Sequence, residues 1–353
     1  MNRFSTRVIF LFSIIILSTG CGQVEGDNKD SIDKETVVTE ASEVESSDII
    51  IDESSFPDDY FRNYVEEEID TNKDGKLNQK EIKSVEWIHA RGIEYLEDYD
   101  YNKIESLEGT QIFCNLRTLE CPGTALSNVD LKSFPELESL DLSNTKIENI
   151  DVSENQKLEK INIGNTKIKS LDVTNNSNLT DLDISENNID KIDISSNTKL
   201  KSFCAYKTKI KDIDVSNNGE LEKLIIYNTD VSYLDTTMLA KLTDLNCSET
   251  DIDNVDISYN KELVSLDVSH TKVSTIDIAS NEKLMALYCI DCPNITEIQG
   301  VGVKLQELRI EGTNISEMNL SECSDLYYVS CDVGTRLTGI DEEIVDRMGA
   351  KEQ

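Results

Sequence analysis

The stretch LESLDLSNTKIENIDVSENQK, Leu137 to Lys157, is followed at once by LEKINIGNTKIKSLDVTNNSN, Leu158 to Asn178, with the same residue types at the same places. In steps of twenty-one residues, units open at Leu116, Leu137, Leu158, Leu179, Leu200, Leu221, Leu242, Leu263, Leu284 and Leu305, ten units in one register. Place four is an apolar column running from Leu119 and Leu140 through Ile161, Leu182 and Phe203 to Leu308, and places eleven, fourteen and sixteen, as in Ile147, Ile150 and Val152, continue the core. The two-residue step between the last two is strand periodicity, so the back of each coil is expected to be a second short extended segment and not a helix. Place nine is a polar column, Thr124, Thr145, Thr166, Asn187 and Thr208 among others, whose side chains can satisfy backbone groups in a buried turn.

This unit resembles the repeat L-x-x-L-x-L-x-x-N-x-L of leucine-rich repeats, in which a short strand carries the inward leucines. The chain is similar to bacterial leucine-rich-repeat surface proteins, internalin-like in its short units, over roughly two thirds of its length. The resemblance implies an α/β-type solenoid, mostly β, with a parallel sheet on its concave face. For some relatives it implies adhesion to a host protein or matrix. One unit buries about six apolar side chains worth roughly 1.5–3 kcal/mol each, against about 1–2 kcal/mol of backbone entropy for every residue. A lone coil therefore loses, neighbours must stack, and both ends need caps.

The N-terminus reads as an export signal. Arg3 and Arg7 precede the apolar run Val8–Leu17, which is too short to span a bilayer as a helix. The following LSTGC resembles a bacterial lipoprotein signal, implying cleavage before Cys21 and a lipid on that thiol; Leu17 stands one place earlier than in the commonest form, and ordinary secretion is the alternative. Residues 1–20 are thus a signal peptide. Residues 21–55, rich in Glu, Asp, Ser and Thr without periodicity, are expected to be a disordered acidic tether.

From Phe56 the texture changes. Phe61, Val65 and Ile69, then Ile82, Val85 and Ile88, recur at helical spacing on either side of DTNKDGKLNQKE. That segment fits the twelve-place calcium loop of an EF-hand: Asp70, Asn72 and Asp74 at places one, three and five, Gly75 at six, the Lys76 carbonyl at seven, Asn78 at nine and Glu81 at twelve. Calcium, a hard cation, needs six to eight oxygens, and this alternation of carboxylates, amides and a carbonyl wraps one. EF-hand loops normally pair, and dockerin modules, which the loop also resembles, need two; no second loop occurs, so Leu77 is expected to find another apolar partner, at the start of the repeats. Residues 56–92 then form a calcium-stiffened helical cap, with 93–325 the solenoid. Ile93, Leu96, Ile104 and Leu107 make an irregular first coil, and 326–353 supply a last strand and a polar tail.

A formal charge of -35 excludes nucleic acid and anionic membrane surfaces as partners, leaving the lipid as the sole membrane attachment. Place fifteen is aspartate in Asp130, Asp151, Asp172, Asp193, Asp214, Asp235, Asp256 and Asp277. Each is expected to accept backbone N–H bonds in its own turn; a divalent-cation stripe is the sharper alternative. Cys121, Cys247, Cys289 and Cys331 replace aliphatic residues at place six and read as core filler. Cys289 and Cys292 form a single C-x-x-C, a weak signal on its own, and His89 and His270 have no catalytic setting, so an enzyme is not expected. Units six and nine break pattern and read as bends.

Places three, five and seven point out of the sheet, and most units put Ser, Asp, Asn or Lys there. The outliers are Cys204, Tyr206, Ile225 and Tyr227 on units five and six, with Tyr288 and Ile290 on unit nine. Outward aromatics of this kind are candidates for an interface with a protein ligand, although scattered apolar residues are also ordinary on surfaces. The expectation is a monomeric cell-surface module that binds protein; a glycan-handling or cell-wall accessory role with paired carboxylates is the alternative.

Overall fold

An apolar residue at place four of every unit has to leave water, and it does so by stacking on its counterpart one coil away. The computed structural model describes residues 48–92, 100–302 and 304–348. It begins with β1 (Ile49–Ile50), α1 (Asp59–Tyr64), β2 (Lys76–Leu77), α2 (Gln79–Ser84) and β3 (Trp87–His89). The regular coils then contribute β4 (Thr118–Glu120), β5 (Ser139–Asp141), β6 (Lys160–Asn162), β7 (Asp181–Asp183), β8 (Ser202–Cys204), β9 (Lys223–Ile225), β10 (Asp244–Asn246) and β11 (Ser265–Asp267). The last coils add β12 (Ile276–Asp277), β13 (Ala286–Tyr288), β14 (Ile298–Gln299), β15 (Glu307–Arg309), β16 (Glu317–Asn319), β17 (Tyr328–Asp332), β18 (Arg336–Thr338) and β19 (Val345–Met348).

Thirteen of these strands, β3 to β11 with β13, β15, β17 and β19, form one parallel sheet in that order. Register is kept place for place: Leu119 lies opposite Leu140, Leu140 opposite Ile161, Ile161 opposite Leu182. The chain is therefore a leucine-rich-repeat solenoid, and its core is one continuous apolar column from Ile51 to Leu337. The back of the coils is less regular than its periodicity suggests. Among the described residues, strand pairing there is confined to β12 with β14 and β16 with β18.

Three polar columns hold the turns. At place eight, Asn144, Asn165, Glu186, Lys207, Asn228, Glu249, His270 and Asp291 all have φ between 51° and 58°. This left-handed conformation is uncommon for side chains such as Glu, Lys and His. It aims each N–H at the place-seven carbonyl of the next coil, as in Asn165 to Ser185 at 2.8 Å and Lys207 to Tyr227 at 2.9 Å, so the turn prolongs the sheet's hydrogen bonding. At place nine the hydroxyls donate to the carbonyl three residues back, Thr145 to Leu142 at 2.7 Å and Thr271 to Val268 at 2.6 Å, as expected. At place nineteen, buried Asn155, Asn176, Asn197, Asn218, Asn260 and Asn281 stack as a column whose Nδ2 groups reach into the preceding coil. Asn176 donates to Val152 O at 3.0 Å and Asn155 O at 2.9 Å, and Asn197 repeats this on Val173 and Asn176. Leu239 interrupts the column in unit six, where Thr236 Oγ1 instead donates to Asp256 O at 2.6 Å.

The outer columns settle the charge. Place-fifteen aspartates accept from the residue two ahead: Asp151 Oδ1 from Ser153 N and Oγ at 3.1 and 2.6 Å, and Asp172 Oδ1 from Thr174 N and Oγ1 at 3.0 and 2.6 Å. These bonds, led by the hydroxyl, hold Asp151, Asp172, Asp193, Asp214, Asp235 and Asp256 below the usual carboxylate range. A lowered folded pKa contributes stability above the unfolded value of about 3.9 and loses it as pH falls through the folded values. Replacing all six by Asn, which keeps the acceptor, should flatten acid unfolding below about pH 4, readable as Tm against pH. At place twenty-one opposite charges pair between neighbouring coils: Lys157 with Glu136, Lys241 with Glu220 and Lys283 with Glu262, along one edge. Such exposed pairs contribute little singly, because solvent screens them.

Both ends differ from their sequence reading. Asp48–Ser55 belong to the fold and not to a tether: Ile51 is buried, and Asp52 closes a turn by accepting from Ser54 N and Ser55 N. Helix α1 is capped by Asp58 and runs on as one π turn, Val65–Ile69. Helix α2 stops at Ser84, and Ile88, assigned to it by spacing, lies on β3, the first strand of the sheet. Trp87 stands opposite Thr118, so the first coil is ten residues longer than the regular unit. Ile104 and Leu107 are buried in it as expected, while Ile93 and Leu96 lie outside the described residues. The expected polar tail contains β19, which adds the last strand to the sheet beside β17. The expected signal peptide, Cys21 and the expected tether as far as residue 47 also lie outside the described residues.

Candidate functional site

Two regions carry chemistry. The first is the loop Asp70–Glu81. Asp70 and Glu81 are buried, 2% and 4% exposed, and each is fully engaged by the loop. Asp70 Oδ1 accepts from Lys73 N at 2.8 Å and its Oδ2 from Gly75 N at 2.9 Å. Asn72 Oδ1 accepts from Asp74 N, and Asp74 Oδ1 from Lys76 N, both at 3.0 Å. Gly75 takes the φ of +78° that the sharp turn at place six demands. Glu81 Oε1 accepts from Thr71 N and Oγ1, its Oε2 from Asn78 N and Nδ2, and the Asn78 side chain in return caps α2. Burial raises the Glu81 carboxyl, but the bonds from Thr71, Asn78 and Asn72 outweigh it and hold the group below its usual value.

The backbone thus follows the form of a calcium loop, with oxygen donors at every required place. Among the described residues no three His, Cys, Asp or Glu side chains already converge as a metal-holding group. The oxygens fit calcium chemically, with Asp70, Asn72, Asp74, Asn78, Glu81 and the Lys76 carbonyl as the holders, but the ion has to compete with amides for Glu81. The missing partner loop is replaced from within the chain. β1 pairs antiparallel with β2, Ile49 opposite Leu77 and Ile50 opposite Lys76, and Ile51 N donates to Gly75 O at 3.0 Å. The strand paired with β2 thus comes from the residues just before the cap, while the Leu77 side chain is fully buried in the apolar core that continues into the repeats.

The second region is the outer face of the sheet. Cys204 lies opposite Ile225, and the Tyr206 and Tyr227 rings stack at 4.7 Å and 4°. Along place seven the row reads Ser143, Gly164, Ser185, Tyr206, Tyr227, Ser248, Ser269, so the tyrosines stand as one aromatic ridge between small residues. Asp181, Asp183, Asp244 and Asp267 flank the ridge on the strands to either side, and none of them forms an ion pair among the described residues, whereas Glu120, Glu138, Glu186 and Glu222 are all paired.

Tyr288 and Ile290 are not part of that patch. Three coils separate Tyr288 from Ile225, and its hydroxyl donates to Glu307 Oε2 at 2.9 Å. Arg309 lies between Tyr288 and Tyr328, 5.5 and 5.2 Å from their ring centroids. This sandwich was not legible in sequence, because it joins place five of two coils to place three of a third. Trp87, 50% exposed on β3, is another aromatic of the face that helical spacing concealed.

Most of the described cysteines belong to the core. Cys121, Cys247, Cys289 and Cys331 are fully buried core residues, and burial pushes the Cys121 and Cys247 thiols up to about 12. Cys292 fills the place-nine column of unit nine, its Sγ donating to Val268 O at 3.1 Å. Partly covered Cys204 is pushed up to about 11, by burial first and by Asp183 second.

No family model matches the chain, and no curated protein matches it. Solved structures do. The functional domain of InlJ from Listeria monocytogenes, described as including a cysteine ladder, superposes with a TM-score of 0.62 at 22% identity over 84% of this chain and 73% of its own. The internalin InlF of the same organism gives 0.64 at 17% identity, over 87% of this chain and 98% of its own. A leucine-rich-repeat protein of Leptospira interrogans gives 0.60 at 19% identity, over 67% and 65%. Here the place-six cysteines never occupy adjacent coils. At these identities the likeness is one of fold: the chain folds as the leucine-rich-repeat solenoids of these bacterial proteins do.

Proposed function

We propose that the chain is an exported surface protein that binds a protein ligand on the sheet face, around Cys204, Tyr206, Ile225 and Tyr227. The stacked tyrosine pair carries this reading. It lies outside the solenoid's own core, stands alone in its row and offers rigid amphipathic area at small entropic cost. In the same reading the chain is a lipoprotein, lipidated on Cys21, whose signal at 1–20 precedes an acidic tether. Calcium held by Asp70, Asn72, Asp74, the Lys76 carbonyl, Asn78 and Glu81 stiffens the cap. The ion's contribution is structural: it fixes the loop that carries β2, and through β2 holds β1 at the entry to the solenoid.

The test is capture on protein and glycan arrays by the wild-type chain and by Tyr206→Ala/Tyr227→Ala. A protein captured by the first and not by the second is expected. Equal capture by the double variant, or capture of glycans alone, would remove the proposed surface.

A further inference from the structure

Place seven of unit three is Gly164, and its missing side chain leaves a notch in the sheet face, lined by Asn162, Asp183, Asn144 and Tyr206. A methyl group built on Gly164 would lie 3.3 Å from Asn162 Oδ1, 3.5 Å from Asp183 Oδ1 and 3.6 Å from the Ser185 carbonyl oxygen. Oxygens are thus the three nearest atoms to that position; Asn162 Oδ1 already accepts from Gly164 N at 3.0 Å and the Ser185 carbonyl from Asn165 N at 2.8 Å, each with a lone pair left. Asp183 Oδ1 accepts from Ser185 N at 2.9 Å, and the carboxylate has no ion-pair partner among the described residues. Glycine is not needed here for conformation, since Gly164 has no positive φ and Ile290 fills the same place in unit nine. What glycine provides is space.

We infer that this notch receives an arginine side chain of the partner, its guanidinium on Asp183 and Asn162 and its plane against Tyr206. The inference rests on the reading of the sheet face as the binding surface and names the chemistry recognised there. Guanidinium is a donor-only group with a planar fork, the complement of the Asp183 carboxylate and the neighbouring Asn162 oxygen. It also stacks on aromatic faces. Tyr206 already has cationic company: Lys207 Nζ, held by Glu186 at 3.1 Å, lies 6.0 Å from the ring centroid, at the outer limit of such contacts. A saccharide hydroxyl carries no positive charge to answer the unpaired Asp183 carboxylate, which a guanidinium does. The charge of -35 attracts a basic segment to the chain.

The experiment is a titration of the full mature chain with N-acetylarginine methylamide at physiological salt, followed by the backbone amide shifts of Gly164, Asp183 and Ser185. Saturable shifts at these three amides are expected, at least about tenfold weaker in Asp183→Asn and in Gly164→Ile, as the loss of one charge-assisted hydrogen bond implies. The neutral citrulline analogue should give no saturable shift. Citrulline binding as well as arginine, an undiminished Asp183→Asn, or a neutral N-acetylglucosamine tetramer shifting these amides where arginine does not, overturns the inference. Asp183→Asn is isosteric, so the result does not depend on how Gly164→Ile folds. If Asp183→Asn still captures the array partner while Tyr206→Ala/Tyr227→Ala fails, the notch falls and the sheet-face reading stands; if the tyrosine variant captures as well, that reading falls too.

Discussion

Asn176→Asp should cost about 3–5 kcal/mol of stability at pH 7, the range for a buried charge without a partner. Asn176 is fully buried, and its Nδ2 donates to two carbonyls of the preceding coil. Aspartate has the same shape but places a carboxylate oxygen about 3 Å from two carbonyl oxygens, where nothing donates. Asn176→Ala should cost less, about 2–3 kcal/mol, from two lost hydrogen bonds and a small cavity, because the same carbonyls keep their backbone donors, Asn155 N on Val152 O and Leu158 N on Asn155 O. The two variants separate further with pH. The introduced acid has a raised folded pKa, so its penalty against wild type at equal pH is smallest below the unfolded value of about 3.9 and grows as pH rises. Urea unfolding at several pH values reads both effects, and a penalty independent of pH would show that the residue is not buried against carbonyls. In a solenoid whose coils contact only their neighbours, a break at this point should also split the unfolding transition.

The second large effect is calcium's. If the loop binds with the affinity of extracellular modules, on the order of 10⁻⁴ to 10⁻³ M, then 10 mM calcium stabilises the fold by about 1.4–2.7 kcal/mol through mass action. The engagement of Glu81 by Thr71, Asn72 and Asn78 points to the weaker end, because those bonds must yield to the ion. Calcium should raise the Tm of the whole solenoid and chelation should reverse it, since the loop is joined to the sheet through α2 and β3. Asp70→Ala/Glu81→Ala should melt lower and no longer respond. Replacing Ile50 by Pro should weaken the calcium response without touching a ligand, because β1 then fails to pair with β2. A melting curve indifferent to calcium would show that the loop does not support the fold.

How much of this could be read from residues alone follows from where the partners lie. The apolar columns at places four and eleven and the threonines at place nine were legible because their partners lie in the same unit or at the same place of the next. The asparagines at place nineteen form as regular a column, yet Asn near a bend reads simply as turn chemistry. Their role depends on carbonyls 21 and 24 residues earlier, visible only once the coil pitch is known. The left-handed turn at place eight was hidden because Glu186, Lys207 and His270 do not advertise it. The ends were hardest. Ile82, Val85 and Ile88 keep a three-residue step through the point where α2 gives way to β3, and three isoleucines, Ile49 to Ile51, in an acidic stretch are too short a run to place a strand until Lys76–Leu77 is seen to lack a partner. On the sheet face the tyrosine pair was legible from register, whereas the notch at Gly164 was not, since an absent side chain has no signal in sequence.

The measurement that most directly tests the account compares partner affinity for two pairs of tyrosines. Tyr233 and Tyr259 are more exposed than Tyr206 or Tyr227, at 71% and 59%, and stand at places thirteen and eighteen, off the sheet. Calorimetry with the captured partner should show at least about 100-fold weaker binding for Tyr206→Ala/Tyr227→Ala, two anchor residues at roughly 2 kcal/mol each being lost, and unchanged binding for Tyr233→Ala/Tyr259→Ala. Weakened binding in the second variant with full affinity in the first would contradict the account and move the binding surface to the back of the solenoid.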